Sequence, residues 1–244
     1  MKKNTTAGAL LIAGVLALTA CGGSAEGTDG ASSASSSSPS ASPSPTTKPV
    51  GSEQYQPEDL EEALLAVNTD QALGAKVIGD DQIRPELEGA GDVLQGITIT
   101  PEQCAVFAAA DIGELLDNAT IAMMMLSPTD SLTVVSHSDA GVLETQVEND
   151  AKLLDDCAIF QMDAAGTVAT ATSTGVDAST DAEVTQAFVT TVSGAGSEDT
   201  TLQVAGISGS TRVHVNMTAP ADTEAAVARA EKIIDAVLAE LETK

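Results

Sequence analysis

Three cysteines and two histidines carry most of the chemistry open to this 244-residue chain. Cys21 ends the run Leu18-Thr19-Ala20-Cys21, after a positive start at Lys2 and Lys3 and about ten apolar residues from Ala9 to Leu18. Small residues before a cut and a thiol at it form a lipobox. The Cys21 thiol takes a diacylglycerol thioether, and cleavage then makes it the first residue of the mature chain. A spanning helix needs roughly 20 apolar residues, about twice this run. An ordinary cleaved signal has no need of a cysteine followed at once by Gly22-Gly23-Ser24. The run therefore predicts a lipid anchor, in which each buried methylene adds roughly 0.8 kcal/mol.

With Cys21 acylated, Cys104 and Cys157 remain in an exported, oxidising compartment, and they are expected to form a disulfide. Neither has a neighbouring histidine or a CxxC partner, so a metal or catalytic thiol is not expected. His137 and His214 both fall in strand-like runs, where a solvent-facing or hydrogen-bonded histidine is commoner than a ligand. A pair meeting Asp139 would bind metal, but nothing in the spacing brings them together. Gly206-Ile207-Ser208-Gly209-Ser210 approaches a nucleophile elbow, yet it ends in Ser where GxSxG needs Gly and lies between strands. Met123-Met124-Met125 reads as core with alternate residues on two sheet faces, with an adaptable apolar pocket as the alternative. Asp80-Asp81 and Asp155-Asp156 read as solvated. No catalytic residue, cofactor or metal is expected.

Composition narrows the partners. The chain has 10 basic and 36 acidic residues, and loss of Lys2 and Lys3 with the signal takes the formal charge from −26 to −28. Nucleic acid is excluded as a partner, and anionic lipid is excluded as an electrostatic anchor. Tyr55, Phe107, Phe160 and Phe188 are the only aromatics, so stacking platforms for sugars or bases are hard to build.

Those residues must be positioned by a short list of elements. Residues 1–20 are read as signal peptide, 21–52 as the lipidated cysteine and a disordered Ser/Pro-rich tether, and 53–244 as one domain. The tether cannot bury apolar area against its ordering entropy, and spans roughly 30 Å. A helix is predicted over Pro57–Val67, then loops with a short strand at Lys76-Val77-Ile78. Thr100-Pro101-Glu102-Gln103 reads as a capping box opening a helix that carries Cys104, Val106, Phe107 and Ala110. Thr120–Leu126 and Ser131–His137 form a hairpin, and Gly141–Asp155 a helix on the stripe Leu143, Val147, Ala151, Leu154.

Beyond Cys157 the period becomes two. Strands are predicted over Ala158–Met162, Thr167–Thr174, Glu183–Val192, Thr201–Ala205 and Thr211–Thr218. In the last, Val213, Val215 and Met217 face inward while Arg212, His214 and Asn216 face out. A closing helix from about Pro220 to Glu242 carries Val227, Ala230, Ile234, Val237 and Leu241, widened by Ile233 and Leu238, and must lie across a sheet. The expected fold is α+β: an antiparallel sheet of about five to seven strands packed by helices, with a long C-terminal helix.

The lipobox, the Ser/Pro tether, the Ile99-Thr100-Pro101-Glu102-Gln103-Cys104 opening, a helix delivering Cys157, a strand-rich half and an Ala-rich closing helix resemble a family of exported domains. They are similar to small lipoproteins of high-GC Gram-positive bacteria related to the extracellular sensor domain of membrane serine/threonine kinases. The resemblance covers roughly Pro57 to Lys244. It departs in offering one disulfide where the kinase domain has two, and in lacking tryptophan. It implies ligand binding in a cleft and carries no residue role across.

The expected function is a non-enzymatic, sensor-like lipoprotein on the extracytoplasmic face of the cell membrane, binding a small molecule or an envelope protein. The alternative is a carrier of lipid or another apolar molecule, in a cavity lined by Met123, Met125 and Val189. A wall-associated enzyme would require His137, His214 and acids to cluster.

Overall fold

The computed structural model describes residues 48–94, 96–107 and 118–244. The signal run, Cys21, the tether up to residue 47 and Ala110 lie outside them.

The sequence begins the domain with α1 (Pro57–Asp70), whose first position is proline and whose first turn carries Glu58 and Asp59 at the positive end of the helix. Its buried stripe is Leu60, Ala63, Leu64 and Val67. The chain closes with α4 (Thr223–Leu241), started by the Asp222 carboxylate accepting from the Ala225 amide at 3.0 Å. Every residue of the predicted stripe on α4 is buried. Both helices cover one face of a sheet, where Leu132, Val134, Leu202, Val204, Val213 and Val215 complete the main core.

That sheet has nine strands in the order β1-β3-β4-β9-β8-β7-β6-β5-β2, and every neighbouring pair is antiparallel. The strands are β1 (Lys76–Ile78), β2 (Ile97–Thr100), β3 (Ala119–Met125), β4 (Ser131–His137), β5 (Ile159–Ala164), β6 (Thr167–Gly175), β7 (Val184–Gly194), β8 (Ser197–Ser208) and β9 (Thr211–Thr218). The class is the expected α+β, with more strands than five to seven. β7 and β8 turn on Ala195 and Gly196, both at positive φ, as a two-residue hairpin between twisted strands requires.

Two stretches depart from expectation. The span after β1 contains α2 (Asp80–Leu94) where loops were predicted, with Pro85 inside it. A helix interior proline forgoes one backbone bond. Tertiary contacts outweigh that cost: Ile83 and Leu87 are buried against Ile78, Ile121 and Met123. Asp80 binds the helix to the sheet, accepting from Arg84 at 2.8 Å and from the Ile121 amide at 3.0 Å, so it is not merely solvated. The second departure is at Ile97–Thr100, which pairs with β5 as an edge strand. The Thr100–Pro101 peptide is cis, and the turn that carries Cys104 is a 3-10 helix over Glu102–Phe107 rather than a capped α-helix.

Ordered contacts begin inside the stretch read as tether. Val50 packs against the main core, and the Gly51 carbonyl accepts from the Ser210 amide at 2.9 Å and the Ser210 hydroxyl at 3.0 Å. Gly51 sits at φ +70°, and a side chain there would strike the Ser208 carbonyl. Residues 50 and 51 thus belong to the domain and meet it beside the β8–β9 turn.

Candidate functional site

A strand places alternate side chains on opposite faces, so the register assigns each residue to a side of the sheet. On the face away from α1 and α4 the pattern runs apolar, polar, apolar. At one end α2 covers Ile78, Ile121 and Met123. At the other, Ile99, Cys104 and Cys157 form a cluster with Phe160 and Met162 packed against it. Cys104 and Cys157 are disulfide-bonded, with Cα atoms 5.7 Å apart.

Between those two clusters lies a polar strip. On β9, Arg212, His214 and Asn216 follow at alternate positions, about 7 Å apart along the strand. His214 stands opposite Thr133 on β4 and Ala205 on β8, and Ala205 in turn stands opposite Gln186 on β7. One small side chain therefore separates His214 from Gln186. Arg212, His214 and Asn216 do lie on the face opposite Val213, Val215 and Met217, as expected, but that face is not open to solvent: Arg212 is buried, and His214 and Asn216 are half-buried. Arg212 is 9% exposed.

The covering element is α3 (Gly141–Asp156), begun where the Asp139 carboxylate accepts from the Gly141 amide at 2.9 Å. It meets the strip at two points. Arg212 Nη1 donates to Asp150 Oδ2 at 3.5 Å, and Gln186 Nε2 donates to the Val147 carbonyl at 3.4 Å. Of its predicted stripe, Leu143 is buried, Val147 and Leu154 are half-buried and Ala151 is exposed.

Three buried polar atoms in the strip have no hydrogen-bond partner among the described residues: Gln186 Oε1, His214 Nε2 and Asn216 Oδ1. Each such group costs about 1–3 kcal/mol, and three on one patch of sheet are a concentrated expense of stability.

Electrostatics follow from burial. His214 is pushed down to about 3, first by loss of water and then by the Arg212 charge, so it is neutral at neutral pH. His137 shifts down for the same two reasons in the same order. Burial raises the Asp150 carboxyl against the opposing pull of Arg212. The strip therefore offers one cation, two amide oxygens and a neutral imidazole.

The other sequence candidates resolve as follows. His137 and His214 share this face, four strand positions apart by register, with Arg212 between them. Asp139 is engaged at the start of α3, and among the described residues no group of three His, Cys, Asp or Glu is placed to hold a metal. Ser208 Oγ accepts from the Glu183 amide and Ser210 Oγ donates to Gly51, so the elbow-like motif is a structural turn. Met123 and Met124 are fully buried on opposite faces. Val189 packs with the main core, across the sheet from Met123 and Met125, so those three do not line one cavity. Asp150 and Gln186 carry no signal in the sequence, and Arg212 and Asn216 were read only as outward-facing. The one available signal was the polar alternation on a strand that proves central.

No family model and no curated protein matches the chain. Among solved structures it is similar to the extracellular domain of PknH from Mycobacterium tuberculosis. The identity is 14% over 61% of this chain and 78% of that one, with a TM-score of 0.41. A putative uncharacterized protein from Mycobacterium smegmatis is similar at 15% identity, 61% and 77% coverage and a TM-score of 0.36. Neither likeness assigns a role to a residue of the strip.

Proposed function

We propose that the chain is a non-enzymatic, lipid-anchored binding module on the extracytoplasmic face of the cell membrane, and that the polar strip is where it meets a small molecule or an envelope protein. The observation that carries this reading is the set of unpartnered buried atoms Gln186 Oε1, His214 Nε2 and Asn216 Oδ1 beside Arg212. Polar groups left unpaired inside a fold lower its stability, and a ligand that pairs them recovers that loss only when bound.

The lipobox at Cys21 supports the anchor, and the disulfide supports an oxidising compartment. No helix among the described residues is long and apolar enough to cross a membrane. Of residues 21–52, those before Val50 act as the spacer, which meets the domain beside the β8–β9 turn. The carrier reading loses support because Met123 and Val189 lie on opposite faces.

Native mass spectrometry of the purified chain tests the binding reading through a co-purifying molecule that is lost from a Gln186→Leu, Asn216→Leu double variant. A Cys21→Ala variant that still fractionates with membranes would remove the anchor from the proposal.

A further inference from the structure

We infer that the strip takes a short peptide with a free C-terminal carboxylate, the carboxylate on Arg212 and the peptide N–H groups on Gln186 Oε1 and Asn216 Oδ1. This rests on the strip being the ligand site.

A guanidinium has five N–H donors in a planar fork suited to two carboxylate oxygens. Arg212 uses only Nη1 among the described residues, in a single 3.5 Å contact to Asp150, so most of its fork is unspent. Gln186 Oε1 and Asn216 Oδ1 are acceptors and call for donors. Sulfate would suit Arg212 but brings no donor for the two amide oxygens, and the O–H groups of hydrogen phosphate sit on one small tetrahedron that cannot reach oxygens on two strands. A simple cation would suit the oxygens but meets the Arg212 charge. A ligand with a carboxylate at one end and N–H groups along its length satisfies both, and as a zwitterion it has no net charge for the −26 chain to repel.

The test titrates trialanine, trialanine C-terminal amide and maltotriose into the detergent-purified full chain. Calorimetry gives affinity, and the side-chain amide signals of Gln186 and Asn216 in nitrogen-15 spectra give location. Trialanine is expected to move both signals and to bind at least tenfold tighter than its amide. Asn216→Leu is expected to lose at least tenfold in affinity while melting at the same temperature or higher, which separates binding from folding. Arg212→Lys, which keeps the charge, is expected to shrink the preference for acid over amide. Equal binding of acid and amide, or unchanged binding by Asn216→Leu, would overturn the inference. A response to maltotriose alone would overturn the peptide class while keeping the strip as a binding site. No response to any of the three also overturns the peptide class, and the co-purification experiment then decides the strip separately.

Discussion

Arg212 Nη1 and Asp150 Oδ2 stand 3.5 Å apart, joining the central strand β9 to the helix α3 across a face that also holds three unpartnered polar atoms. Their side chains are 10% and 16% exposed. Removing one partner of such a pair leaves the other charge uncompensated in a poorly solvated place. Asp150→Asn strips Arg212 of its partner but also removes a carboxylate that burial disfavours, so the two effects oppose and the change in stability should stay below about 1 kcal/mol. Urea unfolding of the variant at pH 7.5 measures this, and a loss of about 3 kcal/mol or more would mean that the pairing outweighs the burial of the carboxylate.

Acid should weaken the fold well above the carboxylate range. His214 is held neutral, at about 3 when folded against its ordinary 6.5, so the unfolded chain takes up a proton that the folded chain refuses as pH falls below 6.5. Stability from this group is complete above pH 6.5 and declines toward pH 3, by about 2 kcal/mol at pH 5. His137 moves in the same direction and adds to it. Asp150, whose carboxyl is raised by burial, works in the opposite sense as pH falls, since protonating it relieves a buried charge. Comparing urea midpoints at pH 7.5 and pH 5 for the parent and His214→Phe should show a flatter dependence in the variant.

The disulfide closes a loop of 53 residues in sequence separation. In the chain-entropy description, a loop of that size confers about 4 kcal/mol by restricting the unfolded chain. The Cys104→Ala, Cys157→Ala double variant should unfold at correspondingly lower urea. Its hydrogen exchange should rise most in α3, which Cys157 follows directly.

Gly206 on β8 faces α4, where an added Cβ would come to 2.7 Å from Ile234 Cγ2 and 3.1 Å from Ala182 Cβ. Overpacking of this kind costs about 1–3 kcal/mol. Gly206→Ala should lower the thermal midpoint, and a variant as stable as the parent would show that α4 can shift outward on the sheet.

How much of this was legible in the chain depends on range. The stripe on α4 could be read directly, because seven apolar residues at helical spacing have only one way to leave water. The β3–β4 hairpin was equally local, with Ser127-Pro128-Thr129-Asp130 breaking two apolar strand-length runs. α2 was not legible: Pro85 and the glycines argue against a helix, and what overrules them is Ile83 and Leu87 packing on strand residues some forty positions away in Ile121 and Met123. β2 was hidden for a similar reason, since Ile97–Thr100 becomes a strand only by pairing with β5.

By itself, the sequence determined the pairing of Cys104 with Cys157, the α+β class, and which side of β9 holds Val213, Val215 and Met217. Each follows from composition or from a period of two or 3.6 residues along a short stretch. Only the tertiary structure decided that the opposite side of β9 is also covered. That depends on α3 crossing from the disulfide end to reach Arg212, a contact made across 62 residues of chain. Alternation tells which residues share a face and is silent on what lies over it, so a strip that looked solvated became the place where polar groups wait unpaired.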